Sequence, residues 1–600
     1  MKALCSGSLK VFSRLFTAVL LLGAAGLAHA ASQAPGGFLE SDETTAVRTQ
    51  LSPASIAGFV PSRGGFEFPA PYNTHGVRVT NESDCGGQDC VDMIYSYWRN
   101  MSNSAGSDTM YVFIGLDQAR GGKGPTLFKY VKSTDTLSKV GPLFDSSSKY
   151  ARQSGEGWYF SYSMPTKIYM QDKSKLLRYD VLKHSFETVF DSTTKYPNTI
   201  ITQTNTSNDD DVHSATLEDA TTYAKKGCIV YTASSKKFEF YAGDKMDECQ
   251  IDKGGRYLVL KEKLASDPCT TCDVDNVIVD RATGTQRTIM DTAGAGGHSD
   301  MGYGYYVASD NHDVNPNAWK LWDLTQGTLK GQLVYHGGSW GDFTPSHVSF
   351  ANAVEGKPIA QQYVCGGATT ASPDARSNDI VCFTLDASTP TSAEQALVIA
   401  PVMSDLNAVG GDATCPSCNA YGKDPKGNLD PTGQYFFWVS NMGGDRMDAF
   451  MVKVPYQLLT GAGADESVEI TSPSDGSPVS GSFTVTVTVA DASAIAGVTI
   501  QVDGQDDTTA TAAPYKATFD ASALAAGTHT ITATATDTQG NTVSAAPVTI
   551  TVGKAGSAGG TGGLNAGAGG GGGGGGGAMS LLGLLLLGAV RKFRSNRKGE

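Results

Sequence analysis

The central part of the chain has the hydrophobic pattern of short β-strands separated by turns. From about Cys90 to Pro455 no apolar run keeps the 3.6-residue period of a helix. Apolar-rich runs recur instead, and each is followed by a second strand that ends in turn residues. This spacing predicts four-stranded blades, the repeat unit of a β-propeller. The runs cover residues 110–116, 157–162, 229–231, 257–260, 303–307 and 435–439.

The repeats predict an all-β protein whose main domain, residues 90–460, is a seven-bladed β-propeller. An N-terminal segment, 31–89, precedes it. We expect the early run Val91 to Trp98 to close the ring against the last blade. A pair of β-sandwiches is the alternative fold, because the repeats are unequal in length. The predicted blades start at Met110, Gly157, His213, Gln250, His298, His347 and Asn428.

Residues 466–552 predict a separate immunoglobulin-like β-sandwich after the propeller. Thr and Val alternate from Phe483 to Val489, and turns are frequent over this stretch. The runs Ile470 to Pro473 and Asp537 to Asn541 resemble those of bacterial Ig-like modules. That resemblance implies a role in spacing or binding rather than catalysis.

Residues 1–30 have the three parts of a secretory signal peptide. Lys2, Lys10 and Arg14 provide the positive start, and an apolar stretch leads to a small-residue cleavage site at 28–30. A buried first helix is the alternative. We therefore expect the protein to be exported.

The C-terminal end combines glycine, a short apolar stretch and a basic cluster. Residues 553–577 contain 16 glycines and predict a flexible linker. The apolar stretch within the tail, 578–600, spans about 20 Å as a helix, which is short for a bilayer core of about 30 Å. Basic residues follow it and would stay cytoplasmic.

This three-part order resembles the GlyGly-CTERM sorting signals of Gram-negative bacteria. The resemblance implies transient anchoring in the inner membrane through the tail, cleavage near Gly569 to Gly577 by a rhomboid-type protease (rhombosortase), and type II secretion. The expected destination is the periplasm and then the cell surface or medium. A permanent C-terminal anchor is the alternative.

Composition and charge exclude several classes of protein. Hydrophobic residues make up 40% and charged residues 18% of the 600, which fits neither a disordered chain nor a multi-span membrane protein. The formal net charge of −14 argues against nucleic-acid binding, which needs a basic face. Without 1–30 and 578–600 the net charge falls to −21, as suits a soluble extracellular protein.

Ten of the eleven cysteines fall in close pairs beyond the signal peptide. In an oxidising compartment an even number favours disulfide bonds. A four-thiolate zinc site built from the two Cys-x-x-Cys motifs, or a redox role, is the alternative. The five pairs are Cys85/Cys90, Cys228/Cys249, Cys269/Cys272, Cys365/Cys382 and Cys415/Cys418.

Polar residues recur where the inner strands of the predicted blades begin. Gln250, His298 and Asn428 each stand two residues before an aspartate, and His213 and His347 occupy similar places. In a propeller such positions face the central axis, so we expect these side chains to converge. Imidazole and amide groups can hold a divalent metal such as Mn, Zn or Fe. The predicted metal ligands are His213, Gln250, His298 and His347.

This arrangement resembles oligogalacturonate lyases, propeller enzymes whose central metal is held by histidines and a glutamine. It also resembles propeller ulvan lyases, which use His, Tyr and Arg near the axis. The paired His-x-His of the last ligand strand is absent here. The resemblance implies β-elimination of an extracellular acidic polysaccharide, in which a base takes a proton beside a uronate carboxylate. His298 is then the base, Tyr303 or Tyr305 the proton donor, and Arg152 a carboxylate ligand.

Other interpretations stay open. The histidines also suit a structural role at strand starts, and the whole protein suits a binding or adhesion role without catalysis. Residues 337–341 fit G-x-S-x-G, but the helix that a nucleophile elbow needs does not follow. The oxygen-rich loops 208–211 and 310–315 suit calcium ligation or solvated turns.

Overall fold

The computed structural model describes most of the chain between residues 36 and 553. Several predicted features lie outside the described residues: the signal peptide, the linker beyond 553, the C-terminal tail, both Cys-x-x-Cys motifs, the 337–341 motif and most of the 310–315 loop. The described ranges are 36–41, 47–92, 94–104, 107–262, 275–289, 298–310, 318–327, 329–335, 347–369, 377–388, 395–408, 422–460, 468–489, 495–537, 542–545 and 547–553.

Seven antiparallel sheets form the blades of the predicted propeller, and three strands precede them in the chain. The N-terminal strands are β1 (Phe38–Ser41), β2 (Gly64–Glu67) and β3 (His75–Arg78). Blade 1 has β4 (Met101–Ser102), β5 (Thr109–Ile114), β6 (Thr126–Val131) and β7 (Thr136–Pro142); blade 2 has β8 (Tyr159–Phe160), β9 (Lys167–Asp172), β10 (Lys175–Asp180) and β11 (Ser185–Asp191). Blade 3 has β12 (Thr199–Thr206), β13 (Val212–Asp219), β14 (Lys225–Thr232) and β15 (Lys237–Ala242); blade 4 has β16 (Met246–Ile251), β17 (Tyr257–Glu262), β18 (Asp275–Asp280) and β19 (Thr285–Ile289).

The last three blades continue the pattern. Blade 5 has β20 (Ser299–Met301), β21 (Tyr305–Asp310), β22 (Ala318–Asp323) and β23 (Gln332–Tyr335). Blade 6 has β24 (Val348–Ser349), β25 (Tyr363–Ala368), β26 (Asp379–Thr384) and β27 (Gln395–Pro401); blade 7 has β28 (Asn428–Leu429), β29 (Tyr435–Ser440) and β30 (Asp448–Lys453). Two short helices, α1 (Pro53–Ala57) and α2 (Gln457–Thr460), flank this series. Turns of 3₁₀ helix cover Glu82–Asp84, Gln118–Arg120, Lys132–Thr134, Lys149–Arg152, Ser192–Thr194 and Ile359–Gln361.

The N-terminal segment closes the ring, and the prediction that Val91 to Trp98 does so is wrong. Strand β3 pairs with β30 and supplies the fourth strand of blade 7, with β2 outside it. Val77 of β3 is fully buried between blades 7 and 1, and the Arg78 guanidinium lies 2.7 Å from the buried Asp448 carboxylate. Val91 forms only an isolated bridge with Leu116. Closure therefore depends on strands that precede the predicted domain boundary.

Alternating apolar residues bind each blade to its two neighbours. In β29, Phe436 and Trp438 pack against blade 6, whereas Tyr435 and Phe437 pack against blade 1. This alternation follows from the two-residue period of a strand, which sends successive side chains to opposite faces. Seven separate apolar clusters, one between each pair of consecutive blades, result.

The inner strands of consecutive blades are also joined by hydrogen bonds around the whole ring. Each bond connects an inner strand, or the turn next to it, with the one beside it. The seven contacts are Phe160 N to Arg99 O (2.9 Å), the Tyr159 and Thr206 hydroxyls (2.7 Å), Asn208 N to Lys253 O (2.9 Å), Lys253 N to Gly302 O (3.1 Å), Phe350 N to Asp300 Oδ2 (2.8 Å), Leu429 N to Ser349 Oγ (3.1 Å) and Asn100 N to Asn428 Oδ1 (3.1 Å). This ring surrounds the axis where we expect the functional site.

Residues 468–553 form the predicted sandwich of two sheets. One sheet contains β31 (Val468–Ser472), β33 (Ser482–Val489) and β36 (Tyr515–Asp520). The other contains β32 (Ser477–Val479), β34 (Ile495–Val502), β35 (Gln505–Ala510), β37 (Gly527–Asp537), β38 (Thr542–Ser544) and β39 (Val548–Val552). A 3₁₀ turn covers Ala521–Ala523. Val485, Val498 and Ile531 lie in the apolar core between the sheets.

Three of the five predicted disulfide bonds fall within the described residues, and all three are present. Cys85–Cys90 closes a surface loop, and Cys365–Cys382 joins paired positions of β25 and β26. Cys228–Cys249 is different, because it links β14 of blade 3 to β16 of blade 4. It therefore ties two blades together covalently.

Replacing both Cys228 and Cys249 with Ala is expected to lower the free energy of unfolding by about 3 kcal/mol. The reason is the loss of a cross-link that constrains the unfolded chain, together with a smaller core between the two blades. Urea denaturation measures the change. The double variant of Cys85 and Cys90, whose bond spans a sequence separation of only 5 residues, is the control and should lose less. A larger loss in the control would contradict this account.

Candidate functional site

The strand pairing of blades 4 to 7 shows which inner-strand residues share one level on the axis. The second strands of these blades begin at Tyr257, Tyr305, Tyr363 and Tyr435, and the residue two positions later pairs with the inner strand in each blade. The paired inner residues are Gln250, Asp300, Ser349 and Asn428.

The predicted alignment of His298 with Gln250 and Asn428 is therefore wrong by two residues. In blades 4 and 7, four residues form the turn between the last hydrogen-bonded residue of the inner strand and the first residue of the second strand. In blade 5 the corresponding turn from Gly302 to Tyr305 contains only Tyr303 and Gly304. Gly304 has a φ of +72°, as such a tight turn requires. The shorter turn moves Asp300 to the level of Gln250. His298 lies one level higher, two residues upstream.

Residues 95–98, which we call the crossbar, run across the axis between opposite blades. The Trp98 indole donates to Thr204 O of blade 3 at 3.1 Å. The Tyr97 hydroxyl donates to Glu248 Oε2 of blade 4 at 2.7 Å, and the same carboxylate forms an ion pair with Lys261. On the other side, Tyr95 O accepts a hydrogen bond from the Asn428 amide of blade 7. The segment predicted to close the ring thus fills the channel and divides it into two ends.

His298 and His347 meet at the end of the channel where the inner strands begin. Their rings are stacked with centroids 3.9 Å apart and planes inclined by 24°. The Tyr95 ring packs edge-on against His347 at 4.9 Å. His347 is buried, and its Nδ1 lies 3.6 Å from Asp424 Oδ2. His298 is partly exposed.

Burial shapes the electrostatics around this pair. It lowers the pKa of His347, although the adjacent Asp424 carboxylate acts in the opposite direction. It also lowers the pKa of Lys426, two residues from Asp424, to about 8. His347 is consequently a neutral imidazole at neutral pH, and Lys426 provides a buried cation beside the same carboxylate.

The other two predicted metal ligands do not join the histidine pair. His213 lies on β13, the second strand of blade 3, and packs between blades 2 and 3 with its ring centroid 5.4 Å from that of Tyr169. Its Nδ1 hydrogen-bonds to Thr206 Oγ1 at 2.9 Å, and burial lowers its pKa to about 4. Gln250 lies on the axis, where its amide donates to Glu248 Oε1 at 3.3 Å.

The predicted catalytic residues are dispersed. Tyr305 is fully buried between blades 5 and 6, where its hydroxyl donates to Gln362 Oε1 at 2.9 Å. Tyr303 is partly exposed in the turn that follows the inner strand, at the opposite end from His298, and burial raises its pKa to about 12. Arg152 is exposed in a 3₁₀ turn before blade 2. Of this set, His298 stands beside a second imidazole, that of His347.

Neither the predicted axial site for manganese, zinc or iron nor a calcium site assembles from the described residues. No group of three His, Cys, Asp or Glu side chains in the described ranges is arranged to hold a metal ion. In the 208–211 loop, Asp210 accepts hydrogen bonds from Ser161 and Ser163, and Asp211 from Ser234. These carboxylates serve as turn and inter-blade acceptors.

Sequence reasoning missed the charged residues around the axis. Arg99 and Lys253 line a small cavity on the axis, together with Gln250 and Asp300. Lys253 directly follows Asp252, one of the aspartates that recur two residues after the aligned inner-strand positions, so the repeat could have predicted its place next to the axis. Arg99 and Lys426 belong to no repeated pattern and needed the fold.

A comparison with known protein families identifies the sandwich. Residues 467–533 match the family model Big_7, a bacterial Ig domain. The prediction of a bacterial Ig-like module is thereby confirmed over residues 467–533. No curated protein matches the chain.

Solved structures similar to this chain include several propellers. An oligogalacturonate lyase from Vibrio parahaemolyticus is 10% identical, with 70% of this chain and 100% of that chain covered and a TM-score of 0.44. An oligogalacturonate lyase in complex with manganese is 10% identical, with coverages of 70% and 99% and a TM-score of 0.45. The β-propeller domain of the trilobed protease from Pyrococcus furiosus is 8% identical, with coverages of 60% and 93% and a TM-score of 0.34.

None of the helices in the described ranges has the length and apolar character that a membrane-spanning helix needs.

Removing the hydroxyl that anchors the crossbar tests its structural role. Tyr97→Phe is expected to lower the free energy of unfolding by about 1.5–3 kcal/mol, because the buried Glu248 loses a hydrogen bond. Denaturant unfolding followed by tryptophan fluorescence measures the loss. Tyr111→Phe, at a partly exposed position of β5, is the control and should change stability by less than about 0.5 kcal/mol. Equal effects in the two variants would argue against an anchored crossbar.

Proposed function

We propose that this protein is exported and acts on an acidic polysaccharide at the axial face where His298 and His347 meet, by β-elimination. The observation that carries the proposal is the stacked pair of imidazoles, 3.9 Å apart on the propeller axis, with one ring partly exposed. Histidine is the side chain best suited to move a proton near neutral pH. A pair of this kind supports proton transfer at the centre of the propeller.

In this proposal His298 is the base. It takes the proton on the carbon beside a uronate carboxylate, the electrons of that C–H bond form a carbon–carbon double bond, and the glycosidic C–O bond breaks. The departing oxygen keeps the electron pair of the broken bond and takes up a proton from water, and His298 afterwards returns its proton to the solvent. His347 positions His298 through the ring contact and is itself oriented by Asp424. The proposal gives no role to Tyr303, Tyr305 or Arg152, and it routes no step through a metal, because the predicted ligands are apart.

Changing the proposed base tests the reaction. Purified protein incubated with pectate, ulvan or alginate should raise the ultraviolet absorbance as unsaturated uronates form. His298→Ala is expected to slow this rise by about 10²–10⁴-fold, the usual contribution of a general base. His184→Asn, at an exposed turn position with a φ of +52° that Asn tolerates, is the matched control and should keep the rate.

Other outcomes separate the competing functions. No absorbance change on any of the three substrates, with Mn²⁺ added, would remove the lyase proposal and favour the binding or adhesion role, which the dispersal of the predicted catalytic residues supports. A rise seen only after Mn²⁺ is added would restore a metal-assisted reaction. A normal rate in His298→Ala would show that another group is the base.

We also propose that the C-terminal tail is a sorting signal, cut near Gly569 to Gly577 after export. The sequence order of glycine run, short apolar stretch and basic cluster supports this proposal. Replacing the nine glycines with a linker of Glu and Lys should abolish release and leave the protein in the membrane fraction. The measurement is an immunoblot of medium and membranes, with a Ser/Ala linker replacing 553–561 as the control. Unchanged release from the charged-linker chain would overturn the proposal.

A further inference from the structure

A polar cavity lies on the axis on the other side of the crossbar from the histidine pair. Inner-strand residues of blades 2 to 5 line it, and Tyr97 of the crossbar forms another part of its wall. Its volume of about 10 Å³ suits one water-sized group. The polar residues that matter here are Tyr97, Arg99, Asn205, Gln250, Lys253 and Asp300.

Two buried cations line this cavity. Arg99 is 3% exposed, and its Nε and Nη2 both donate to Phe160 O, at 3.2 and 3.0 Å. Lys253 is 8% exposed and donates from Nζ to Asp300 Oδ1 at 3.1 Å. Buried charges are costly unless they are compensated. It is therefore uncommon for so small a cavity to be lined by two cationic side chains, as this one is by Arg99 and Lys253.

The nearby carboxylates are largely occupied by other donors. Asp300 accepts from the backbone N–H groups of Met301 and Phe350 in addition to Lys253. Asp252, the residue before Lys253, accepts from the backbone N–H groups of Tyr257 and Gly304. Lys253 thus shares the Asp300 carboxylate with two backbone N–H groups, and the Arg99 hydrogen bonds described above go to a neutral carbonyl oxygen, which leaves the cavity attractive to an anionic oxygen.

Two amide atoms in the wall lack a hydrogen-bond partner among the described residues. Gln250, which is 2% exposed, has no hydrogen bond at Oε1, and Asn205 has none at Nδ2. A buried polar atom left in this state is unfavourable, because it has lost its hydrogen bonds to water without gaining others. A ligand that offers both an anionic oxygen and a hydroxyl group would satisfy the cations and the amides together.

Two tyrosines flank this end of the channel. The Arg99 guanidinium lies 5.8 Å from the centre of the Tyr162 ring. Tyr303 receives a hydrogen bond from the Asn208 amide at 3.0 Å, and both tyrosines are partly exposed. Aromatic rings with an exposed face suit contact with the apolar face of a sugar ring. A ring too large for the cavity would rest between them.

We infer that this pocket is a second binding site, which takes the carboxylate of a hydroxylated acid such as a uronate residue. One carboxylate oxygen enters the cavity between Arg99 and Lys253, and the ligand's hydroxyl pairs with the Gln250 amide. The sugar ring stays at the mouth beside Tyr162 and Tyr303. The inference does not depend on the proposed elimination, because the crossbar separates this pocket from His298.

Calorimetric titration of the full-length protein tests the site. Galacturonate should bind at least about tenfold more tightly than galactose, which has a neutral hydroxymethyl group in place of the carboxylate. Lys253→Gln should weaken galacturonate binding by about tenfold or more, and Lys183→Gln, at an exposed turn, is the matched control that should leave it unchanged. Tyr303→Leu should weaken it as well, provided that thermal unfolding shows each variant to be folded.

The contrary results are equally specific. Equal affinity for galactose and galacturonate, or wild-type affinity in folded Lys253→Gln, would overturn the inference. Binding of chloride or bromide without galacturonate would assign the cavity to a monatomic anion and also overturn it. Repeating the titration with His298→Ala separates the two proposals: retained affinity supports a distinct pocket even if elimination fails, and lost affinity would place the ligand at the histidine pair.

Discussion

Each inner strand of the propeller is held to the next by a hydrogen bond, and the seven bonds form a closed ring. In most of these bonds a backbone N–H group donates, and the acceptors include the side-chain oxygens of Asp300, Ser349 and Asn428. Because the inner strand of each blade is hydrogen-bonded to both neighbouring inner strands, a blade cannot rotate without breaking at least one of these bonds. The polar residues on the axis keep their positions for this reason. Both the stacked histidines and the cation-lined cavity depend on that constraint.

The crossbar is the second element on which the site depends. A channel lined by seven polar strand ends would otherwise be open to water throughout. Tyr95, Tyr97 and Trp98 fill its middle with aromatic surface, while the Tyr97 hydroxyl and the Trp98 indole use acceptors of blades 3 and 4. Two chemically different ends result. One carries imidazoles with Asp424 and Lys426, and the other carries a guanidinium and an amine.

The sequence was sufficient to predict seven blades and the Ig-like module, because both follow from the two-residue period of strands and from the spacing of turns. It placed three disulfide bonds correctly from short separations. It misplaced His298 by two residues, because Asp300 and Asp252 both stand five residues before a tyrosine although their turns differ in length. It placed His213 on an inner strand, whereas the preceding β12 occupies that position and moves His213 outward. These errors concern register, which depends on turn geometry that one sequence leaves ambiguous.

The closing strands have a consequence for how the chain tolerates shortening. Strands β1 to β3 join blades 6 and 7, the last blades along the chain, so both ends of the propeller meet in one region. A cut that removes the first eighty residues and one that removes the last blade would open the ring at the same place. Either loss would expose the apolar surface that blade 7 shares with blade 1, since Val77 and Phe437 lie in one cluster. Proteolytic trimming of the propeller from either end would therefore disrupt the same interface, the one between blades 7 and 1.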